Sequence, residues 1–100
     1  MLTLGGHIST MEAQVVSETL ERLVAERIQR IVVDMSGVDL ITSDGLGALI
    51  RARKSSNEMG GTVVLCGLHG NILDVFRMTR LDKIFLLYDS VDSAVTALSK

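Results

Sequence analysis

Apolar and polar positions come in blocks along this chain, and their period changes from block to block. Leu2 and Leu4 alternate with small or polar neighbours until Gly5 and Gly6, which predicts a short strand over 2–6. From Thr10 to Arg30 the period lengthens. Ala13, Val16, Leu20, Leu23, Val24 and Ile28 recur at three- and four-residue spacing, while Glu12, Glu18, Glu21, Arg22, Glu26 and Arg27 fall mostly elsewhere. That predicts a helix with one apolar face, capped by Ser9 or Thr10, whose side-chain oxygen can accept an orphan backbone N–H.

Arg30 to Met35 is a short, almost wholly apolar run, as expected of a strand covered on both faces. "SGVDLI" then reads as a turn followed by a brief extended piece. Leu46 to Met59 predicts a second helix with Leu46, Leu49, Ile50 and Arg53 on one side, ended by Gly60 and Gly61. Thr62 to Leu68 predicts another buried strand. Asn71 to Thr79 predicts a short helix with Ile72, Val75 and Phe76 inward. Lys83 to Tyr88 predicts the last strand, and Asp89 or Ser90 caps a closing helix carrying Val91, Ala94, Val95 and Leu98. The order is β-α-β-α-β-α-β-α, which implies right-handed crossovers and a largely parallel sheet.

One hundred residues suit one domain with a real core. The composition is 47% hydrophobic and only 3% aromatic, so that core is aliphatic. A net charge of −2 argues against nucleic-acid binding, which needs a basic surface to neutralise phosphates. Cys66 is the single cysteine and cannot form an internal disulfide, which fits a reducing cytoplasm. No apolar run approaches the ~20 residues that span a bilayer, so direct membrane insertion is not expected.

The junction "DLITSDGLGAL", Asp39 to Leu49, is the place to look for function. There an apolar segment enters a helix through two glycines, with Thr42, Ser43 and Asp44 between. Backbone N–H groups at a helix N-terminus point outward, and the helix dipole favours an anion there. A side chain at the tight turn is also lifted off the sheet. On pattern alone Asp44 is an N-cap, worth about 1 kcal/mol.

The stretch "VDLITSDGLGALIRARKSSNEMGGTVVLCGL" closely resembles the STAS domains of bacterial anti-sigma factor antagonists. Their signature reads roughly V-x-F-I-D-S-S-G-L-G, then a helix, then G-G and an apolar strand. "LTLGGHIS" is similar to the family's L-x-G-E-L-D strand end, and "VFRMTRLDKIFLLYDSVDSAVTAL" to its closing segment. The resemblance covers nearly the whole chain. It implies an α/β, STAS-like domain over 1–100, with a mixed, mostly parallel sheet of four or five strands and four or five helices. It also implies that the domain begins one strand late. An exposed edge left by that strand would invite pairing, so a homodimer is one assembly it allows.

The resemblance further implies partner switching. The family's antagonist binds an anti-sigma factor that is also a serine kinase, and so frees the sigma factor. The kinase then phosphorylates the serine directly before G-L-G, the phosphoprotein lets go, and a phosphatase resets it. Here that position is Asp44, the phosphosite equivalent. The family's Asp two places earlier is Thr42, and the middle Ser is Ser43. The family's G-E-L-D is Gly6-His7-Ile8-Ser9. A carboxylate carries one charge, against about −1.5 to −2 for a phosphoserine. The resemblance therefore implies a domain held near its phosphorylated-like state, or one using Ser43 or Thr42 as acceptor. The expected partner-binding residues are Gly6, His7, Ile8, Ser9, Ser43, Asp44, Gly45 and Leu46.

Other residues have plainer readings. Cys66 in an apolar strand is a small buried hydrophobe rather than a nucleophile. His7 and His69 lack metal-ligand spacing, and no cofactor is expected. "RARK", Arg51 to Lys54, is a solvated helix face or a contact for an acidic partner. A catalytic carboxylate at Asp44 has no acid–base partner in the sequence, so no catalytic residue is expected. A second role compatible with Asp44 is a STAS subunit or domain serving a membrane transporter, without phosphorylation.

Overall fold

The computed structural model describes residues 2–99. Four strands, β1 (Leu2–Ile8), β2 (Arg30–Ile41), β3 (Thr62–Cys66) and β4 (Leu87–Tyr88), alternate with four helices. These are α1 (Thr10–Ala25), α2 (Ser43–Glu58), α3 (Gly70–Met78) and α4 (Val91–Leu98). The strands lie side by side in chain order, β1-β2-β3-β4, and every pair is parallel. The expected count and dominant direction of strands are therefore found.

A sequential parallel order has a consequence. Right-handed crossovers between adjacent strands put successive helices on one face. The larger core accordingly joins Val16, Leu20 and Val24 of α1, Ala48, Leu49 and Ala52 of α2, and Ile72 and Phe76 of α3. They pack with Ile31, Val33, Met35, Val63 and Leu65 of the sheet. The alternate positions Val32, Val64 and Cys66 turn to the other face, where Ala94 of α4 covers them.

Several boundaries differ from the sequence expectation: β1 runs on past Gly6 to Ile8, and α2 begins at Ser43 rather than Leu46. The helix expected over 10–30 stops at Ala25. Arg27 adopts a left-handed conformation (φ 62°), its N–H bonds the Val24 carbonyl, and the Ile28 N–H bonds the Leu23 carbonyl. That pair of bonds is a Schellman turn, and it leaves Ile28 43% exposed instead of on the apolar face.

The turn expected at "SGVDLI" lies inside β2. Between the pairs Thr3–Asp34 and Gly5–Gly37, and again between Gly6–Val38 and His7–Leu40, β2 spends one more residue than β1. The Ser36 N–H donates to Asp34 Oδ1 at 3.0 Å. The bend is real, but the strand absorbs it as bulges and goes on pairing to Ile41.

The strand expected over Lys83–Tyr88 shrinks to two residues. Leu81–Lys83 forms a 3-10 turn, and the Phe85 N–H bonds back to the Leu81 carbonyl at 2.9 Å. Phe85 thereby reaches the core edge-on to Phe76, with ring centroids 6.2 Å apart. The strand expected over 62–68 ends at Cys66. In α2 the inward side is Gly45, Ala48, Leu49, Ala52 and Ser56, whereas Ile50, placed on one side with Leu46 and Leu49, is exposed. Val95 of the closing helix is likewise exposed. Ser90 caps that helix as anticipated, accepting the Ser93 N–H.

Candidate functional site

The long β2 carries the chain to the same end of the sheet as β1. His7 pairs with Leu40 and Ile8 with Ile41, so the segment 6–9 lies beside the entry to α2. The two segments singled out in the sequence are therefore neighbours in space.

Their junction is a specific clamp. The N-cap of α2 is Thr42, not Asp44. Its backbone N–H donates to the Ile8 carbonyl at 2.9 Å, and its hydroxyl donates to the same carbonyl at 3.2 Å. Thr42 thus spends its hydroxyl on β1 rather than on the first turn of its own helix. Nothing in the composition of "ITSDG" distinguishes this use from an ordinary cap, because the acceptor is 34 residues away.

Ser43 and Asp44 follow as the first two helical residues, and both are exposed. Asp44 stands in the first turn, where the N–H groups have no intrahelical acceptors and a negative charge is favoured. Gly45 is buried beneath them. A Cβ there would lie 2.7 Å from Ile41 Cγ1 and 2.9 Å from Ile8 Cγ2. Only glycine lets α2 start this close to the end of β1. Leu46 is half-buried against the larger core.

On the β1 side, Gly6 has positive φ (68°) and is exposed, as is His7; Ile8 is buried. Ser9 is the N-cap of α1. Glu12 reaches back to accept the Ser9 N–H at 3.2 Å and also its hydroxyl. The Ser9 hydroxyl, then its N–H, holds the Glu12 carboxyl below the usual glutamate range. Between α1 and α2 runs an open groove lined by Gln14, Ser17, Glu18, Glu21, Asp44 and Arg51. Arg51 is exposed, as expected of a solvated helix face, and it also borders this groove.

The remaining candidates lie elsewhere. Cys66 is buried, and burial followed by the nearby Asp34 charge pushes its thiol up. His69 Nε2–H donates to the Ser36 carbonyl at 2.9 Å, which ties the loop after β3 to the bulge in β2. Among the described residues no group of three or more His, Cys, Asp or Glu could hold a metal ion. No helix among them is long and apolar enough to cross a membrane.

A family model for the STAS domain matches residues 1–94. The chain belongs to the STAS domain family. It is 28% identical over 95 residues to the anti-sigma F factor antagonist of Paenibacillus polymyxa, covering 95% of this chain and 79% of that protein. A solved candidate anti-sigma factor antagonist from Thermotoga maritima superposes with a TM-score of 0.90 at 22% identity, over 98% of this chain and 86% of that one. A sulfate transporter family protein from Wolinella succinogenes superposes with a TM-score of 0.83 at 17% identity, over 95% and 80%. The STAS fold is thus shared between antagonist-type and transporter-type relatives.

Proposed function

We propose that this STAS protein is a regulatory binding module, an anti-sigma factor antagonist in a partner-switching system, with Asp44 in place of the phosphorylatable serine. It acts by binding and not by catalysis, in the cytoplasm. Its partner is an anti-sigma factor with serine kinase activity, and a phosphatase completes the cycle where an acceptor exists. The single observation that supports this most is the place of Asp44. It is an exposed carboxylate in the first turn of α2, next to the end of β1 and directly before Gly45-Leu46-Gly47.

A carboxylate there has the sign of a phosphate and about half its charge. It biases the domain toward the form that releases its partner. Gly6, His7, Ile8, Ser9, Ser43, Asp44, Gly45 and Leu46 form the partner-binding surface, and Ser43 or Thr42 is the alternative acceptor. Of these two Ser43 is the better placed, since it is exposed while the Thr42 hydroxyl is engaged with Ile8.

The likeness to the Wolinella transporter protein supports a second role, a STAS subunit on a membrane transporter. A pull-down from native lysate separates the two, with wild type and Asp44→Ser compared with and without ATP. Capture of a kinase by Asp44→Ser alone, released on adding ATP, is the expected result. Equal capture of one partner by both, indifferent to ATP, overturns the phosphate-mimic reading. Recovery of that partner in the membrane fraction favours the transporter role.

A further inference from the structure

The end of the molecule opposite Asp44 holds a cavity of about 200 Å³ between the C-terminal ends of α1 and α2. Val24, Arg27, Ile28, Gln29, Ser56, Met59 and Gly61 line it. Ser56 is 2% exposed, and its hydroxyl has no hydrogen-bond partner. A buried polar group left unpaired costs about 1–3 kcal/mol, so the fold retains it against a penalty.

The backbone groups at the two helix ends beside the cavity are paired. Both helices close in Schellman turns. The Arg27 and Ile28 N–H groups take the Val24 and Leu23 carbonyls, and the Gly60 and Gly61 N–H groups take those of Asn57 and Ser56. Gly61 itself is set by this cavity. A Cβ on it would fall 2.6 Å from Ser56 Oγ and 2.9 Å from the Gln29 carbonyl oxygen. Gly60 (φ 79°) ends the helix, while Gly61 keeps the space beside the hydroxyl open.

We infer that this cavity is a ligand site for a small uncharged amphiphile, one hydroxyl head on an apolar body. The head bonds Ser56 Oγ, and the body lies against Val24, Ile28 and Met59. The volume is several times the ~30 Å³ share of one water and matches about seven to ten heavy atoms. Two helix C-termini converge on it, and their negative dipole ends disfavour a carboxylate or phosphate. Arg27 at the rim disfavours a cation. Ser56 lies about 18 Å along α2 from Asp44, so an occupant leaves the partner-binding end uncovered.

The test is an amide NMR titration of the whole protein with cyclohexanol, with cyclohexanecarboxylate and cyclohexylammonium as charged counterparts. Cyclohexanol is expected to shift the amides of Val24, Gln29, Ser56 and Gly61 selectively, with half-saturation on the order of 1 mM. Ser56→Ala, which only removes an unpaired hydroxyl and so folds, is expected to bind it about fivefold to tenfold more weakly. Four results overturn the proposal: no local shifts, equal binding by Ser56→Ala, equal binding of either ion, or a water at Ser56 that saturating cyclohexanol does not displace. None of these bears on the fate of Asp44→Ser, so this site and the proposed function stand or fall separately.

Discussion

The carbonyl of Ile8 accepts two hydrogen bonds from one residue, Thr42: the backbone N–H at 2.9 Å and the hydroxyl at 3.2 Å. This joins the end of β1 to the start of α2, and it answers why a hydroxyl stands at the junction. Thr42→Val keeps the shape and the N–H bond but loses the hydroxyl. It is expected to cost about 1 kcal/mol, a fall in Tm of about 4–8 °C for a domain of this size. Thr42→Ser is expected to lose clearly less. Calorimetry of the two variants against wild type decides it; equal losses would mean that the methyl group, not the hydroxyl, holds the junction.

The Glu12 carboxyl, held below the usual glutamate range by the Ser9 hydroxyl and N–H, has a definite pH signature. A carboxyl whose folded pKa is depressed contributes stability above its unfolded pKa, about 4.3, and loses it as pH falls through the folded value. Glu12→Gln is therefore expected to lower Tm at pH 7, with the gap to wild type closing below about pH 4. Glu12 is half-exposed at the surface, so the gap is small and shrinks with added salt. Melting curves from pH 7 to 3 at two ionic strengths check both statements; a gap that widens in acid contradicts the assignment.

Arg80 follows α3 with φ 61°, in the left-handed region. For a residue with a Cβ this conformation costs about 1–2 kcal/mol, and glycine adopts it freely. Glycine also adds freedom to the unfolded chain, which offsets part of the gain. Arg80→Gly is expected to stabilise the fold by about 0.5–1 kcal/mol, read as a higher urea midpoint with an unchanged slope. A lower midpoint would mean that the Arg80 side chain makes contacts worth more than the backbone strain.

The alternation of periods was enough to order the strands and helices, because buried parallel strands and amphipathic helices advertise themselves through the same apolar residues that make the core. What the sequence hid was non-local. Ile28 has the right spacing to continue α1, yet Arg27 turns left-handed and closes the helix before it. Lys83 to Phe85 has strand composition, yet packing Phe85 on Phe76 requires a 3-10 turn. Ser36 and Gly37 look like a turn, yet β1 holds them in register as a bulge. The nearness of Gly6–Ser9 to Ser43–Leu46 was legible because the adjacent parallel strands β1 and β2 bring their C-terminal ends to the same end of the sheet. The Thr42 clamp and the Ser56 hydroxyl were not, since each is defined by partners, or a missing partner, that only the fold supplies.

Gly45 and Gly47 look equivalent in "GLG", but their surroundings are opposite. A Cβ at Gly45 meets Ile41 Cγ1 at 2.7 Å, Ile8 Cγ2 at 2.9 Å and the Ile8 carbonyl oxygen at 3.1 Å, with backbone on one side and core on the other. A Cβ at Gly47 meets only Arg51 Nη1 at 3.1 Å, the far end of a flexible side chain. Alanine is the better helix former by about 1 kcal/mol, so Gly47→Ala is expected to stabilise by up to that amount as Arg51 moves aside. Gly45→Ala gains the same propensity but forces a shift at the core, and is expected to destabilise by about 1–3 kcal/mol net. In an Ile8→Ala background one of the close contacts is gone, so the cost of Gly45→Ala should fall, a coupling of about 0.5–1 kcal/mol in a double-mutant cycle. Urea titrations of the five proteins measure all of this. If both glycines tolerate alanine equally, close approach of α2 to β1 is not what keeps Gly45 a glycine, and the geometry that sets Asp44 beside Gly6–Ser9 has some other cause.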